Sequence, residues 1–313
     1  MIFTRACGGQ ARSGISIAAA LSMLGGCAAV PQARPQVQPV PPSTRAAPPT
    51  VQADRPAGPV TFSYSGPRMQ GGTVIGIAPA GTATLTLDGA PVTVAPDGRF
   101  LIAFDRDAGP SATLVATLRD GRRVADVLVI APREWNISRL SSLPKYPVPE
   151  AEFARVRPAE LAEIAAARRT SVESAGWRQP FLWPTTGRIS TLFGSQRVYR
   201  NGEAGAYHSG VDVARATGTP VLAPADGIVI LAADRPFTLE GNLLMIDHGA
   251  DLNSAFLHLS RIDVRVGDRV KRGQVIGAVG MTGRATGPHL HWGMKWRDAR
   301  IDPLLLAGPM AGS

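Results

Sequence analysis

This chain of 313 residues has little cysteine, few aromatic residues and, beyond residue 30, no long apolar run. Its two cysteines are too few for a disulfide scaffold or for a metal site built from thiolates. No later stretch approaches the roughly 18 apolar residues of a transmembrane helix. Basic residues never form a run longer than two and do not alternate with aromatic residues, so the sequence does not indicate a nucleic-acid-binding module.

The sequence does contain enough apolar residues for a core and an excess of arginine. Hydrophobic residues make up 44 % of the chain, which excludes a wholly disordered protein. The net charge of +9 is compatible with an anionic partner such as an acidic polymer, or with a composition that simply favours arginine. The length predicts about two domains.

The first 27 residues have the pattern of an export signal. Arg5 and Arg12 precede an apolar segment at 15–24 that is too short to span a bilayer. The segment ends in a Leu-Gly-Gly-Cys motif that resembles the lipobox of bacterial lipoproteins. This resemblance implies a lipoprotein signal peptide at 1–27 and lipidation of Cys27, whereas the alternative is an ordinary signal peptide cleaved near Ala28.

Lipidation at Cys27 predicts an exported protein that its acyl chains anchor in a membrane, facing the periplasm. Ala28, directly after the cysteine, is compatible with sorting to an outer membrane. The region 28–58 is rich in proline and predicts an extended linker without a packed core. We therefore expect a tether between the anchor and the folded part of the chain.

Residues 59–140 alternate apolar and polar side chains with the period of a β-strand. Strands are expected near 73–77, 83–87, 100–104 and 113–118. Asp-Gly pairs at 88–89, 97–98 and 120–121 tolerate the positive φ of tight hairpin turns. The pattern predicts a small β-sandwich domain, and since no histidines or paired carboxylates converge in it, we interpret it as a spacer or binding module.

A helical connector is predicted at 141–176. A helix over 158–169 is expected to have Pro158 in its first turn, acidic residues early and arginines late. Its apolar face would consist of Leu161, Ile164 and Ala165. The simplest interpretation is a helix packed between two domains. A second hypothesis is that this helix, or the loop at 198–207, covers a groove and keeps the protein latent.

All five histidines lie in the region 177–308, and three of them have suggestive spacing. His208 and Asp212 are four residues apart, which places both on one side of an extended segment, with Gly210 leaving that side clear. His289 and His291 also share one face of a strand. Two imidazoles and a carboxylate suit Zn²⁺, which in catalytic sites takes three protein ligands and keeps one position for water.

The other two histidines have less informative surroundings. His258 lies between apolar neighbours on an expected strand, where an isolated histidine is more often a core residue than a ligand. His248 lies at a strand end before a turn, in Asp247-His248-Gly249, and we interpret it as structural.

About 125 residues, from Trp183 to Pro303, resemble the zinc metallopeptidase domain of the lysostaphin or LytM type, whose members cleave peptide bridges of bacterial peptidoglycan. Besides the histidine segments, the resemblance rests on motifs at 187–190, 193–194, 219–227, 241–242, 246–249, 266–270 and 283–291. It does not cover the N-terminal β region or the helix. Phe256 stands where the family often has tyrosine, and Trp292-Gly293 replaces a common aromatic-acid pair; we expect both departures to affect substrate fit.

The resemblance implies that His208, Asp212 and His291 bind one zinc ion and that His258 and His289 form a catalytic pair beside it. Zinc lowers the pKa of bound water toward about 7 and polarises the scissile carbonyl. The imidazole pair would orient or deprotonate that water, stabilise the oxyanion and protonate the leaving amine. Which imidazole has which role stays open.

Three further residues precede the His-Leu-His strand. Thr282, Arg284 and Thr286 are expected to line the substrate groove or to shape their own loop. The bond that is cleaved also stays open: a cross-link between D-amino acids, a glycine bridge and an L-Ala–D-Glu bond are all compatible with the sequence.

The sequence therefore predicts a mostly β protein. Its C-terminal domain, 177–308, would be an antiparallel β-sheet groove of the LytM/lysostaphin type, preceded by a small β-sandwich and a linking helix. The expected function is a zinc-dependent endopeptidase that hydrolyses stem peptides or cross-links of peptidoglycan during cell-wall remodelling. The alternative is a non-catalytic activator of a separate peptidoglycan amidase, against which the presence of all five key residues argues. We expect a monomer without a nucleic-acid partner.

Overall fold

Antiparallel strands dominate the structure, as the alternating sequence pattern predicts. The computed structural model describes residues 58–139, 149–170, 172–198 and 203–310, which all belong to one compact unit. The predicted signal peptide, the lipidation site Cys27 and nearly all of the predicted linker lie outside the described residues. Within the described ranges, no helix has both the length and the apolar character needed to cross a membrane.

The first seven strands form two antiparallel sheets. The strands are β1 (Ser63–Ser65), β2 (Thr73–Ile77), β3 (Thr82–Leu87), β4 (Ala90–Val92), β5 (Arg99–Ala103), β6 (Ser111–Leu118) and β7 (Arg123–Val129). One sheet has the order β1-β2-β5 and the other the order β4-β3-β6-β7. Phe100 of the first sheet and Leu114 of the second are fully buried in the same core. The predicted small β-sandwich is thereby confirmed.

The first Asp-Gly pair forms the predicted hairpin turn between β3 and β4. Asp88 has a φ of 48° and Gly89 a φ of 84°, as a two-residue turn with both central residues in the left-handed region requires. The Asp88 carboxylate also accepts a hydrogen bond of 2.7 Å from the Thr113 N–H on β6. The turn is therefore fixed by its own backbone and by the neighbouring strand.

The predicted helix exists but begins earlier than expected. Helix α1 (Glu150–Arg168) has Pro158 in its interior instead of its first turn. The prediction was wrong because residues 150–157 are mostly adequate helix formers, so the helix continues across a proline that removes one backbone hydrogen bond. The apolar face also differs: Ile164 and Ala167 are buried, whereas Leu161 and Ala165 are exposed.

The second region is built around an eight-stranded sheet. The remaining strands are β8 (Ile137–Arg139), β9 (Arg188–Thr191), β10 (Gln196–Val198), β11 (Gly210–Ala214), β12 (Pro220–Leu222), β13 (Gly227–Ala232), β14 (Asn242–Asp247), β15 (Leu252–Leu259), β16 (Arg261–Ile262), β17 (Arg269–Val270), β18 (Val275–Ala278), β19 (His289–Trp296) and β20 (Ala299–Ile301). The sheet has the order β17-β13-β14-β15-β19-β11-β9, with β20 paired to β19. Smaller elements are the sheet β12-β18-β16, the parallel pair β8-β10, a 3₁₀ turn at Gly176–Arg178 and helix α2 (Pro303–Ala307).

The two faces of this sheet differ sharply in composition, and β19 shows the difference most clearly. Its even-numbered residues, such as Leu290 and Trp292, are fully buried and define what we call the core face. Its odd-numbered residues, His289, His291, Gly293 and Lys295, line open cavities and define the groove face.

Phe256 and Trp292, two residues at which the sequence departs from the family pattern, lie on the core face. The side chains of Phe256 and Trp292 are both fully buried. The expectation that these positions affect substrate fit is therefore wrong for Phe256 and Trp292, because a side chain without exposed surface affects packing instead. Gly293, the other half of the second departure, does lie on the groove face.

Candidate metal centre and groove

Three side chains converge at one end of the groove face. The Nε2 atom of His208 lies 3.0 Å from the Oδ1 atom of Asp212, and the Nδ1 atom of His291 lies 2.9 Å from each of these two atoms. In a tetrahedral Zn²⁺ site, bonds of about 2.0–2.2 Å place ligand atoms about 3.3 Å apart. The triangle therefore has the shape, and nearly the size, of one face of such a site.

Strand pairing and two backbone hydrogen bonds place these three residues. Asp212 on β11 is directly opposite His291 on the antiparallel strand β19. His208 precedes β11 and is held by two backbone hydrogen bonds, from its N–H to the Ser195 carbonyl and from the Gly194 N–H to its own carbonyl. A Cβ atom at Gly210 would lie 2.3 Å from the Trp292 carbonyl oxygen, so glycine allows the close approach of β11 to β19.

The protonation of these three residues favours a cation between them. The Nδ1 atom of His208 lies 3.1 Å from the Leu192 carbonyl, which can only accept, so Nδ1 carries the proton and the Nε2 lone pair faces the triangle. Burial alone would raise the pKa of Asp212, but the contacts with His208 and His291 hold it well below its usual range. Burial lowers the pKa of His291 and favours its neutral form. A charged carboxylate and two imidazole lone pairs suit a divalent metal ion.

A second imidazole pair lies beside the triangle. The rings of His258 and His289 have centroids 4.7 Å apart. The Nδ1 atom of each lies 2.8 Å from a backbone carbonyl, that of Thr282 for His258 and that of Gly287 for His289. Because a carbonyl oxygen cannot donate, both Nδ1 atoms carry protons and both Nε2 atoms are unprotonated in the neutral rings.

His258 reaches the groove through an unusual backbone conformation. Alternation along β15 would place His258 on the core face with Phe256, but its φ of 64° turns the ring toward His289. Its N–H donates to the Glu240 carbonyl at 2.8 Å, which holds this conformation. Burial lowers the pKa of His258 to about 4, so the ring is neutral at neutral pH. A strained non-glycine residue beside a polar cluster is typical of a functional site.

The groove has a volume of about 910 Å³, and all five predicted site residues line it. Arg284 and Thr286 line it as well, at the loop before β19. The Thr282 hydroxyl instead donates to the Leu259 carbonyl and accepts from the Asn242 N–H. Thr282 therefore fixes its loop, and its carbonyl orients the ring of His258.

Residues outside the histidine motifs also shape the groove. Arg106, from the β-sandwich, is 7 % exposed, donates to the Gly194 carbonyl and lies 4.8 Å from the centre of the Tyr207 ring. The Tyr207 hydroxyl donates to Asp105 at 2.8 Å. The β-sandwich therefore contacts the segment that holds His208, which sequence reasoning missed because these contacts join positions about 100 residues apart.

Helix α1 contacts the groove through an ion pair. The Arg157 guanidinium donates to both carboxylate oxygens of Glu240, at 2.6 and 2.7 Å. Glu240 is the residue whose carbonyl holds the His258 backbone. Part of the loop at 198–207, for which we predicted a covering role, lies outside the described residues, so the latency hypothesis stays a prediction.

His248 occupies a separate position on the core side of the sheet. It is fully buried, and its ring nitrogens contact the Asp226 carbonyl and the Ser254 hydroxyl, each at 2.8 Å. The ring also packs edge-on against Phe181. Both nitrogens are thus engaged by core residues, in agreement with the structural role that the sequence predicts.

Comparisons with known proteins agree with this geometry. Residues 206–303 match Peptidase family M23. Peptidoglycan DD-endopeptidase ShyA of Vibrio cholerae is 40 % identical over 126 residues, which cover 40 % of this chain and 29 % of ShyA. DD-carboxypeptidase/endopeptidase Mpg of Neisseria meningitidis is 38 % identical over 122 residues, which cover 39 % of this chain and 27 % of Mpg.

A solved structure is similar over a larger part of the chain. It is a crystal structure of a Pseudomonas aeruginosa protein described as a peptidase M23, with 29 % identity and a TM-score of 0.59. The match covers 77 % of this chain and 95 % of that one, so it extends well beyond 206–303. By contrast, the chain spans less than a third of the length of the two curated relatives.

Proposed function

We propose that this chain, which contains a domain of Peptidase family M23, is a zinc endopeptidase that hydrolyses peptide bonds in peptidoglycan. The observation that carries the proposal is the triangle of His208, Asp212 and His291 with the His258–His289 pair beside it. The names of ShyA and Mpg, both endopeptidases and one of them of peptidoglycan, support the substrate class.

The triangle would hold the metal. One carboxylate and two neutral imidazoles are a donor set that suits Zn²⁺ in catalytic sites, and one ion per chain fits three convergent atoms. When bound, zinc keeps a further position for water, lowers the pKa of that water toward about 7 and polarises a carbonyl group. The buried Leu290 and Trp292 on the other side of β19 support the position of His291.

The imidazole pair would move the protons. The Nε2 atoms of His258 and His289 are free to accept a proton and to return it to the leaving amine, because the Nδ1 atoms are held by carbonyl groups. Among the described residues that line the groove, the carboxylates are those of Asp212 and Glu240. Asp212 belongs to the triangle and Glu240 is bound by Arg157, so the imidazoles are the available bases.

The remaining parts of the proposal concern the cellular setting. An acyl anchor at Cys27 would hold the protein on the periplasmic face of a membrane, and the proline-rich linker would give it reach toward the cell wall. A net charge of +9 favours association with an anionic polymer. We expect a monomer to be active, because the described part of one chain contains all five proposed site residues.

Digestion of purified peptidoglycan tests the function. The expected result is soluble muropeptides whose masses identify the cleaved bond, with release abolished by a chelator and by His291→Ala. The alternative function, activation of a separate amidase, predicts no muropeptide release by this chain alone and faster amidase cleavage after mixing. Full muropeptide release by His291→Ala would overturn the metal assignment.

A further inference from the structure

A second cavity of about 300 Å³ borders the groove at His291. One wall of this cavity is α1, through Arg157, Leu161, Ile164 and Arg168, and its floor is the groove face of β15 and β19. His291, Ser209 and Tyr207 line both cavities, so the two spaces are adjacent. A peptide that occupies the metal end of the groove would therefore lie next to the second cavity.

Three cations line the second cavity, and two of them form no ion pair within the described part of the chain. Arg168 and Arg300 form no ion pair with the described residues, and the Nε atom of Arg168 is buried without a hydrogen-bond partner. Lys295, whose side chain is 17 % exposed, has an ion pair of 3.4 Å with the fully exposed Asp298. Glu240 is the acidic lining residue, and it is bound by Arg157.

The cations also disfavour one another. Burial and then the charge of Arg300 lower the pKa of Arg168. Burial and then the charge of Arg168 lower the pKa of Lys295. The charge of Asp298 acts in the opposite direction on both residues, and so does that of Glu240 on Arg168, but both pKa values stay lowered. A further anion would therefore stabilise the three partly buried positive charges.

A neutral polar group completes the cavity. Asn253 lies directly opposite Lys295 in the pairing of β15 with β19. Its side chain lines the cavity and is 4 % exposed, yet its Oδ1 atom has no hydrogen-bond partner among the described residues. An amide oxygen accepts hydrogen bonds, so the cavity offers an acceptor beside three cationic donors.

On the groove face of β19, the residue between His291 and Lys295 is Gly293, which has no side chain. A Cβ atom at Gly293 would lie 3.3 Å from the Nε2 atom of His291, so the absence of a side chain leaves room for a bound chain. Lys295 is four residues after His291 on β19, a distance of about 14 Å along a strand. A group held at Lys295 would therefore lie about four extended residues from the metal end.

We propose that Arg168, Lys295 and Arg300 bind a free carboxylate of the peptide substrate and that Asn253 accepts a hydrogen bond from a neighbouring peptide N–H. This inference rests on the proposed function, because it assigns a subsite for the same substrate. The ligand class is a peptide residue with an unblocked carboxylate beside its own amide N–H. Helix α1 then contributes part of the binding site, although it lies outside 206–303.

The experiment compares two forms of one substrate. The first is a purified cross-linked muropeptide dimer with free carboxylates, and the second is the same dimer with its carboxylates converted to primary amides. For Lys295→Met and for Arg168→Met, we expect KM for the carboxylate dimer to rise about tenfold, the effect of one lost charge-assisted hydrogen bond. We expect kcat to stay within about twofold, and Lys295→Arg to restore most of the affinity.

Two control variants test whether the loss of any positive charge is enough to raise KM, or whether the charge must line the second cavity. Arg169→Met removes the neighbouring exposed arginine of the helix end, and Lys271→Met removes a lysine whose side chain is 79 % exposed. Both should leave KM unchanged. The amidated dimer should bind the wild-type protein about tenfold more weakly and should be insensitive to Lys295→Met.

The outcomes distinguish the two proposals. If the wild-type protein cleaves both dimers and Lys295→Met raises KM equally for both, the carboxylate subsite is wrong while the endopeptidase function stands. An unchanged KM in both variants also rejects the subsite. If the wild-type protein cleaves neither this dimer nor whole peptidoglycan, the proposed function is wrong and the subsite falls with it.

Discussion

The two faces of the central sheet differ in chemistry although they alternate along the same strands. On β19 the core face presents Leu290, Trp292, Met294 and Trp296, all at most 5 % exposed. The groove face of that strand presents two imidazoles, a glycine and a lysine. Burial of apolar surface holds the side chains of the core face in place. The side chains of the groove face are instead positioned by loops, backbone carbonyl groups and α1. We therefore expect core-face substitutions to change stability and groove-face substitutions to change activity.

The largest expected effect is on the groove face, at the imidazole pair. His289→Ala and His258→Ala should each lower kcat by about 10²–10⁴-fold, because each removes a group that transfers a proton. Zinc content should remain about one per chain in both variants, since the three ligands are untouched. Metal analysis and muropeptide release check this prediction. If His289→Ala loses zinc while His291→Ala keeps it, the roles of these two histidines are exchanged.

The next effect concerns the core face. Phe256→Ala should lower the free energy of unfolding by about 3–5 kcal/mol, because it empties a fully buried site. The neighbouring groove-face residue Leu257 is only partly buried, so Leu257→Ala should cost less. Denaturant unfolding of both variants checks the difference. Equal losses would contradict the distinction between the two faces.

A smaller effect concerns two adjacent buried groups at the end of β14. Burial raises the pKa of Asp247 to about 6 and lowers the pKa of His248 to about 4. As pH falls from 6.5 to 4, the unfolded chain takes up a proton at His248, which destabilises the fold. Over the same interval the folded chain takes up a proton at Asp247, which stabilises it. The two effects oppose each other in the wild-type protein.

Asp247→Asn removes one of these two effects. The amide oxygen can still accept the hydrogen bond that the Asp247 carboxylate accepts from the Gly249 N–H. The variant should be more stable than the wild type by about 2–3 kcal/mol at pH 7, and this gain should shrink by about 2 kcal/mol at pH 4. Denaturant unfolding across this pH range measures the difference. A difference that does not change with pH would contradict the raised pKa of Asp247.

Local patterns explain what could be predicted from the sequence. The spacing of His208 and Asp212, and of His289 and His291, identified the residues that the structure brings together, because each pair depends on the geometry of one short segment. The turn at Asp88 and Gly89 was predictable for the same reason. Continuing the alternation of β19 from His291 by four residues would have identified Lys295 as a groove residue.

Long-range packing explains what could not be predicted. Alternation alone would bury His258 on the core face, and only its φ of 64° brings it to His289. Arg168 lines the second cavity because α1 packs on a sheet whose strands are distant in the sequence. The carbonyl groups of Leu192, Thr282 and Gly287 determine which nitrogen of each imidazole carries the proton. Every residue has a backbone carbonyl group, so a residue pattern does not predict these contacts.

The central claim is that His208, Asp212 and His291 hold one zinc ion on which peptidoglycan cleavage depends. The most direct test is to count zinc per chain in the purified protein and to measure muropeptide release before chelation, after chelation and after zinc is restored. We predict about one zinc per chain, with loss of release on chelation and recovery with zinc. Undiminished release from protein that contains no metal would contradict the account.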